Sequence, residues 1–152
     1  MSESITLRNI KKYEIGALVS LCEKHALYEQ TLFTCKNKEE RLTEALFQAN
    51  APLFCLVVAY ENKLIGYMTF MKQFSTWDVS SYLYMDCLFI EEPYRCLGIG
   101  KQLLQRLKEE AKHLKCDTIQ FQTPLFNTHA INFYKKNGAL SKTKERFFLH
   151  VK

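Results

Sequence analysis

The sequence predicts an α/β (α+β) fold: a mixed, mostly antiparallel central sheet with helices on both faces. Three observations predict it. Apolar residues alternate or run together in some segments and recur at helical spacing in others, in the order β-α-α-β-β-β-α-β-α-β. Two strand-like segments meet at a short polar turn, Glu61-Asn62-Lys63, which implies antiparallel pairing. Between residues 82 and 123 a strand, a long helix and another strand follow one another, which implies a right-handed parallel crossover.

Each element has its own signal. Residues 5–9 alternate like a short strand. Ile15, Leu18, Val19, Cys22 and Ala26 recur at helical spacing and predict a first helix ending near Tyr28. A shorter helix is expected over 38–47, then an apolar strand over 53–60 and its returning partner over 64–74. Residues 82–90 form the longest strand-like run, and Pro93 ends its neighbourhood. The strongest helix follows: Ile99, Leu103, Leu104, Leu107, Ala111 and Leu114 make one stripe, with Lys101, Arg106, Lys108, Glu109, Glu110 and Lys112 opposite. Strands are expected at 118–123 and 146–151, with a helix over 129–136 closed by Asn137-Gly138.

Composition excludes several classes. At 152 residues the chain is expected to be one domain, and 47% hydrophobic with 24% charged residues is ordinary for a globular protein. Eleven Phe and eight Tyr supply too much apolar surface for a disordered chain. No apolar run approaches the roughly 20 residues of a membrane span, and Met1-Ser2-Glu3-Ser4 lacks the features of a secretory signal. The expectation is a cytoplasmic protein without a membrane partner. The net charge of +5 is spread along the chain with no basic run, so nucleic acid is not an expected partner. Six cysteines show no CxxC pair, and the four histidines lack metal-ligand spacing, so free thiols and no metal are expected.

The most informative segment is Pro93-Tyr94-Arg95-Cys96-Leu97-Gly98-Ile99-Gly100-Lys101, between a buried strand and an amphipathic helix. Glycines there let backbone N–H groups approach a ligand closely, with the helix dipole behind them. The helix start lacks a Ser, Thr or Asp cap, so its first amides want an outside acceptor. Arg95 and Lys101 add positive charge, and together these features suit a phosphate or pyrophosphate. A Rossmann fingerprint would need glycine at Leu103; a P-loop would need Ser or Thr at Gln102 and glycine at Arg95. Both fail, which leaves a plain glycine-rich turn as the alternative.

The pattern Arg95-x-x-Gly98-x-Gly100 after a strand and before a Leu-rich helix resembles the acetyl-CoA pyrophosphate-binding motif of the GNAT superfamily of N-acetyltransferases. The resemblance runs over nearly the whole chain in element order. It is strongest in residues 84–104 and in Ala130-Ile131-Asn132-Phe133-Tyr134-Lys135-Lys136-Asn137-Gly138-Ala139. Within the superfamily the chain is most similar to diamine (spermidine/spermine) acetyltransferases, through Ala26-Leu27-Tyr28-Glu29, Trp77, Leu83-Tyr84-Met85-Asp86 and Ile131-Asn132-Phe133-Tyr134. It departs from them at Cys96 where the motif usually has Gly, at Asp86 where Glu is common, and at Cys87 in place of Asp. An acidic position before Trp77 is Ser75 or Thr76.

The resemblance implies a GNAT-like fold and acetyl transfer from acetyl-CoA to a small amine by direct attack, in a homodimer. It implies acetyl-CoA contacts at Leu88, Phe89 and Ile90, at Arg95, Cys96, Leu97, Gly98, Ile99, Gly100 and Lys101, and at Asn127, Ala130, Tyr134 and Lys136. Tyr134 becomes the acid that protonates the leaving thiolate, and Asp86 assists deprotonation of the amine. Tyr28, Glu29, Trp77 and Asp86 become acceptor contacts. Read without the family, Asp86 could be a structural acid costly in an apolar run, Tyr134 a boundary core residue and Asn127 a helix cap. Cys87, with no adjacent base, reads as a small buried hydrophobe rather than a nucleophile. A lysine-like amino acid, a peptide amine, an aminoglycoside and a non-catalytic CoA-binding module remain open alternatives.

Overall fold

The computed structural model describes residues 4–34 and 36–152. They divide into two compact units, Met1–Gln122 and Thr123–Lys152. The first unit holds one five-stranded sheet, with β1 (Ile5–Asn9), β2 (Phe54–Tyr60), β3 (Lys63–Ser75), β4 (Ser80–Ile90) and β5 (Thr118–Gln120) lying side by side in chain order. Pairing is antiparallel from β1 to β4 and parallel between β4 and β5. The hairpin and the crossover therefore give the two pairing senses expected of them.

The helices of this unit sandwich the sheet. On one face, Cys55, Val57 and Ala59 of β2 join Tyr67 and Phe89 in a core with Ile15, Leu18 and Leu21 of α1 (Ile15–Tyr28). Leu42, Leu46 and Phe47 of α2 (Lys38–Phe47) pack against that core. Strand alternation sends Leu56 and Val58 to the opposite face, where they are fully buried. The stripe Ile99, Leu103, Leu107 and Ala111 of α3 (Ile99–His113) covers that second face through contacts with β4 and β5. Burying such an apolar side chain is worth roughly 1.5–3 kcal/mol.

Two positions keep β3 and its neighbours close. Gly66 lies where a Cβ would stand 2.8 Å from the Phe89 carbonyl oxygen and 3.3 Å from Val58, so only glycine fits without moving backbone. Beside it the register jumps from Val58↔Gly66 to Ala59↔Leu64, which makes Ile65 an extra residue in β3.

The second unit contains α4 (Thr128–Lys136), one residue longer than expected at its start. The strand expected over 118–123 stops at Gln120. The strand expected over 146–151 does not form: residues 139–152 adopt no helix or strand, and Phe147, Phe148, Leu149 and Val151 are exposed. A strand exists only by pairing, and this unit contains no other strand. Phe147, Phe148 and Leu149 are also consecutive, so no alternation selects one buried face. Cys22, Cys55, Cys87, Cys96 and Cys116 are free thiols; Cys35 lies outside the described residues. Among the described residues no helix is long and apolar enough to cross a membrane, and no cluster of His, Cys, Asp or Glu could hold a metal.

Candidate active site

Strand β4 carries the centre of the site. Its register against β3 pairs Phe70 with Met85 and Thr69 with Cys87, so Asp86 is the extra residue of a bulge. A bulge bends its strand and re-aims a side chain. Here it turns Asp86 outward, and the carboxylate is exposed. The cost expected for an acid in an apolar run is therefore absent, because the bulge takes Asp86 out of the buried alternation.

On its other edge β4 pairs with β5 only from Tyr82 to Tyr84, yet it continues to Ile90. The Glu91 amide donates to the Ile65 carbonyl on β3 at 2.8 Å. Peptide groups alternate along a strand, so those of Ile90 and Leu88 point to the edge that β5 has left. There the Ile90 carbonyl accepts a 2.7 Å hydrogen bond from Arg95 Nε.

After a short 3₁₀ turn at Glu92–Tyr94 the chain bends into α3. Cys96 (φ +63°) and Gly98 (φ +82°) both take the left-handed conformation. Gly98 adopts it freely, whereas a Cβ at Cys96 costs roughly 1–2 kcal/mol. That explains why glycine suits the position. No side chain caps α3, and its first backbone bond runs from Gln102 to the Gly98 carbonyl at 3.1 Å. The amides of Ile99, Gly100 and Lys101 thus precede the helical ladder at the positive end of its dipole. Buried Ile99 anchors the turn, while Leu97 and Lys101 are exposed. A pyrophosphate fits such amides.

Arg95 does not simply face that turn. Its guanidinium carbon lies 4.5 Å from the Tyr28 ring centroid and 5.4 Å from that of Phe89. Through it the turn, β4 and the end of α1 form one packed group containing Tyr28, Phe89, Ile90 and Arg95. Glu29 caps the C-terminal end of α1. Burial raises its carboxyl above the ordinary range, and its Oε2 lies 3.1 Å from His25 Nε2.

His25 and Tyr67 are the residues that the sequence reading missed. His25 is buried, stacks on Phe89 with ring centroids 5.1 Å apart, and has Nδ1 2.7 Å from the Tyr67 hydroxyl. Burial, helped by the Arg95 charge, pushes the imidazole down to about 4, so it is neutral at pH 7. Burial likewise raises the Tyr67 phenol far out of reach of ordinary pH. The signal for His25 was its place on the Leu18, Cys22, His25 and Glu29 side of α1. Cys87 packs against the same core, and burial, then the Asp86 charge, pushes its thiol up to about 12. It is a packed thiol rather than a ready thiolate.

Trp77 stands at the β3–β4 turn, 96% exposed, where the Asp78 amide donates to Ser75 Oγ at 3.1 Å. In the second unit, Asn127 caps α4: its Oδ1 accepts from the Ala130 amide at 3.4 Å, and its Nδ2 donates to Thr123 Oγ1 at 3.2 Å. Tyr134 is half-buried on α4 with its ring 5.3 Å from that of Phe133, and Lys136 is exposed in the last turn.

This combination of a sheet, an outward carboxylate on a bulge and an uncapped helix behind a glycine turn matches an acyltransferase. Residues 20–139 match the acetyltransferase (GNAT) family. The chain belongs to that family, and it is an acetyl-CoA-dependent N-acetyltransferase. It is 25% identical over 149 residues to the thialysine N-epsilon-acetyltransferase of Sus scrofa, covering 93% of this chain and 87% of that protein. It is 23% identical over 146 residues to spermidine/spermine N(1)-acetyltransferase-like protein 1 of Homo sapiens, covering 91% of this chain. It spans only 21% of that human protein's length. In fold it is similar to an aminoglycoside N-acetyltransferase solved with CoA, with a TM-score of 0.82 at 15% identity over 99% of this chain and 97% of that one.

Proposed function

We propose that the chain, acting as one acetyltransferase domain, moves the acetyl group of acetyl-CoA directly onto a primary amine of a small polyamine- or diamine-like molecule. The observation that carries this reading is the outward carboxylate of Asp86 at the bulge, on a strand whose far edge β5 has left. An alkyl amine with a pKa near ~10 is protonated at pH 7 and cannot attack a thioester until it loses a proton. Asp86, directly or through water, takes that proton. Acetyl-CoA supplies the activated acetyl group; a C–N bond forms, the C–S bond breaks, and the departing thiolate takes a proton from the Tyr134 hydroxyl.

The remaining residues position the reactants. The amides of Ile99, Gly100 and Lys101 receive the pyrophosphate. The Leu88 and Ile90 peptide groups run beside the pantetheine arm, with Arg95 fixed against Ile90 at its far end. Tyr28, packed on Phe89, lines the acceptor side, and Glu29 holds a second ammonium away from the reacting nitrogen. Trp77 stands at the opposite end of β4, in the β3–β4 turn, apart from both. Carboxylates at two places suit an acceptor with more than one positive charge.

Support for the acceptor class also comes from the relatives. One is named for thialysine and the other for spermidine and spermine, all aliphatic amines. The first name favours a second reading, in which the acceptor is a lysine-like amino acid. A thiol-release assay with acetyl-CoA separates the two, run with spermidine, a shorter diamine, a monoamine, lysine, thialysine and an aminoglycoside. Faster turnover of the diamine and spermidine than of the monoamine and the amino acids is expected. Turnover confined to lysine-like acceptors would replace the polyamine reading.

A further inference from the structure

Between α1 and β3 runs a three-residue line, of which the proposed reaction uses only the outer member, Glu29. Tyr67 Oη, His25 Nδ1, His25 Nε2 and Glu29 Oε2 follow one another at 2.7 Å and 3.1 Å across the imidazole. Tyr67 and His25 are buried, whereas Glu29 is half-buried and reaches the surface at the end of α1. Chemistry assigns the protons. An ionised carboxylate only accepts, so His25 Nε2 carries the hydrogen and donates to Glu29. A neutral imidazole with a proton on Nε2 has a lone pair on Nδ1, so the Tyr67 hydroxyl donates to it. Stacking on Phe89 fixes the ring plane. The Cys22 and Cys87 thiols reach the Tyr67 hydroxyl as well and can donate to its oxygen while it donates to His25, and the line ends on one oxygen of Glu29.

We propose that His25, backed by Tyr67, is a positioning residue that holds the Glu29 carboxylate for the second ammonium of the acceptor and so sets the preference for diamines over monoamines. This rests on the reading of Glu29 as an acceptor contact. A flexible glutamate loses side-chain entropy when it binds a cation, whereas one already held by a neutral donor binds with that loss taken beforehand. A neutral imidazole serves better than a cation here, since it orients the carboxylate without cancelling its charge.

The test compares steady-state kinetics of wild type with Glu29→Gln, His25→Leu, His25→Gln and Tyr67→Phe, using spermidine and a monoamine of similar length. His25→Leu should raise the ratio of the spermidine KM to the monoamine KM by roughly tenfold with kcat for spermidine little changed, the pattern of lost uniform binding. His25→Gln restores an N–H donor towards Glu29 and should recover most of the loss. Tyr67→Phe should give an intermediate rise. Imidazole ¹⁵N NMR should show the proton on Nε2 in wild type and keep it there in Tyr67→Phe, where Glu29 still accepts it, while the Nδ1 resonance shifts as its donor is lost. A raised spermidine KM in Glu29→Gln with wild-type ratios in both His25→Leu and Tyr67→Phe would overturn the positioning role alone. An unchanged spermidine KM in Glu29→Gln would overturn the acceptor reading and the proposal with it. Should His25→Leu fail to fold, Tyr67→Phe, which removes one hydroxyl, decides by itself.

Discussion

Acidification from pH 7 to pH 5 should weaken this fold through His25. The unfolded imidazole titrates at 6.5, while burial and the Arg95 charge hold the folded one down to about 4. Between those values the unfolded chain binds the extra proton, so stability falls as pH falls and is fully present only above about 6.5. At about 1.4 kcal/mol per pH unit the whole window is worth about 3 kcal/mol, of which about 2 kcal/mol is lost by pH 5. With a urea slope of roughly 1–3 kcal/mol per molar, the unfolding midpoint should drop by roughly 1 M. Glu29 acts with the opposite sign, because burial raises its carboxyl and its protonation follows the folded state. Glu14 and Glu91 are held low by Arg8 and by Lys24 and Lys63, and remove stability on acidification without His25. The comparison is therefore made in a Glu29→Gln background, with and without His25→Gln. The protein keeping His25 should lose the extra 2 kcal/mol or so between pH 7 and pH 5. Parallel curves for the two would refute the argument that burial keeps His25 neutral.

Three further outcomes are expected. Gly100→Val should abolish acetyl-CoA binding in calorimetry while circular dichroism stays that of the wild type; unchanged affinity in the folded variant would remove the pyrophosphate from this turn. Tyr134→Phe should lower kcat by at least ~10²-fold with acetyl-CoA affinity unmoved, and turnover within a few-fold of wild type would make Tyr134 a packing residue. Gly66→Ala should cost roughly 1–3 kcal/mol, because its Cβ meets backbone at 2.8 Å, and Tm should fall by several degrees. An unshifted Tm would mean that β3 and β4 separate at little cost.

Local signals carried far along this chain. The apolar stripe of α3, the uncapped start at Gly98 and the polar turn between β2 and β3 each act through near neighbours, so residue order alone revealed them. The failure at 146–151 has the opposite cause, since a strand depends on a partner that a single segment does not contain. The same holds within the site. Asp86 was legible as an acid in an apolar run, but its bulge is a property of two strands in register. His25 and Tyr67 stand 42 residues apart and meet only once α1 lies on the sheet. Arg95 was legible as a charge on the turn, whereas its hold on Ile90 and its seat against Tyr28 needed the folded end of α1.

The bulge at Asp86 also acts as a change of phase. Before it, Leu83 and Met85 of β4 are buried away from the α1 core; after it, Cys87 and Phe89, still odd-numbered, belong to that core. One inserted residue moves the same parity from one layer to the other, and Ile65 does likewise in β3, where Leu64 and Tyr67 share the α1 side. Substitution at Asp86 keeps that count, so the sheet tolerates many side chains there. Deletion does not: it would rotate Phe89 out from beneath His25 and swing Leu88 and Ile90 across to the wrong edge. Length, more than identity, is what this position contributes to folding, which leaves its chemistry open to change while its presence is not.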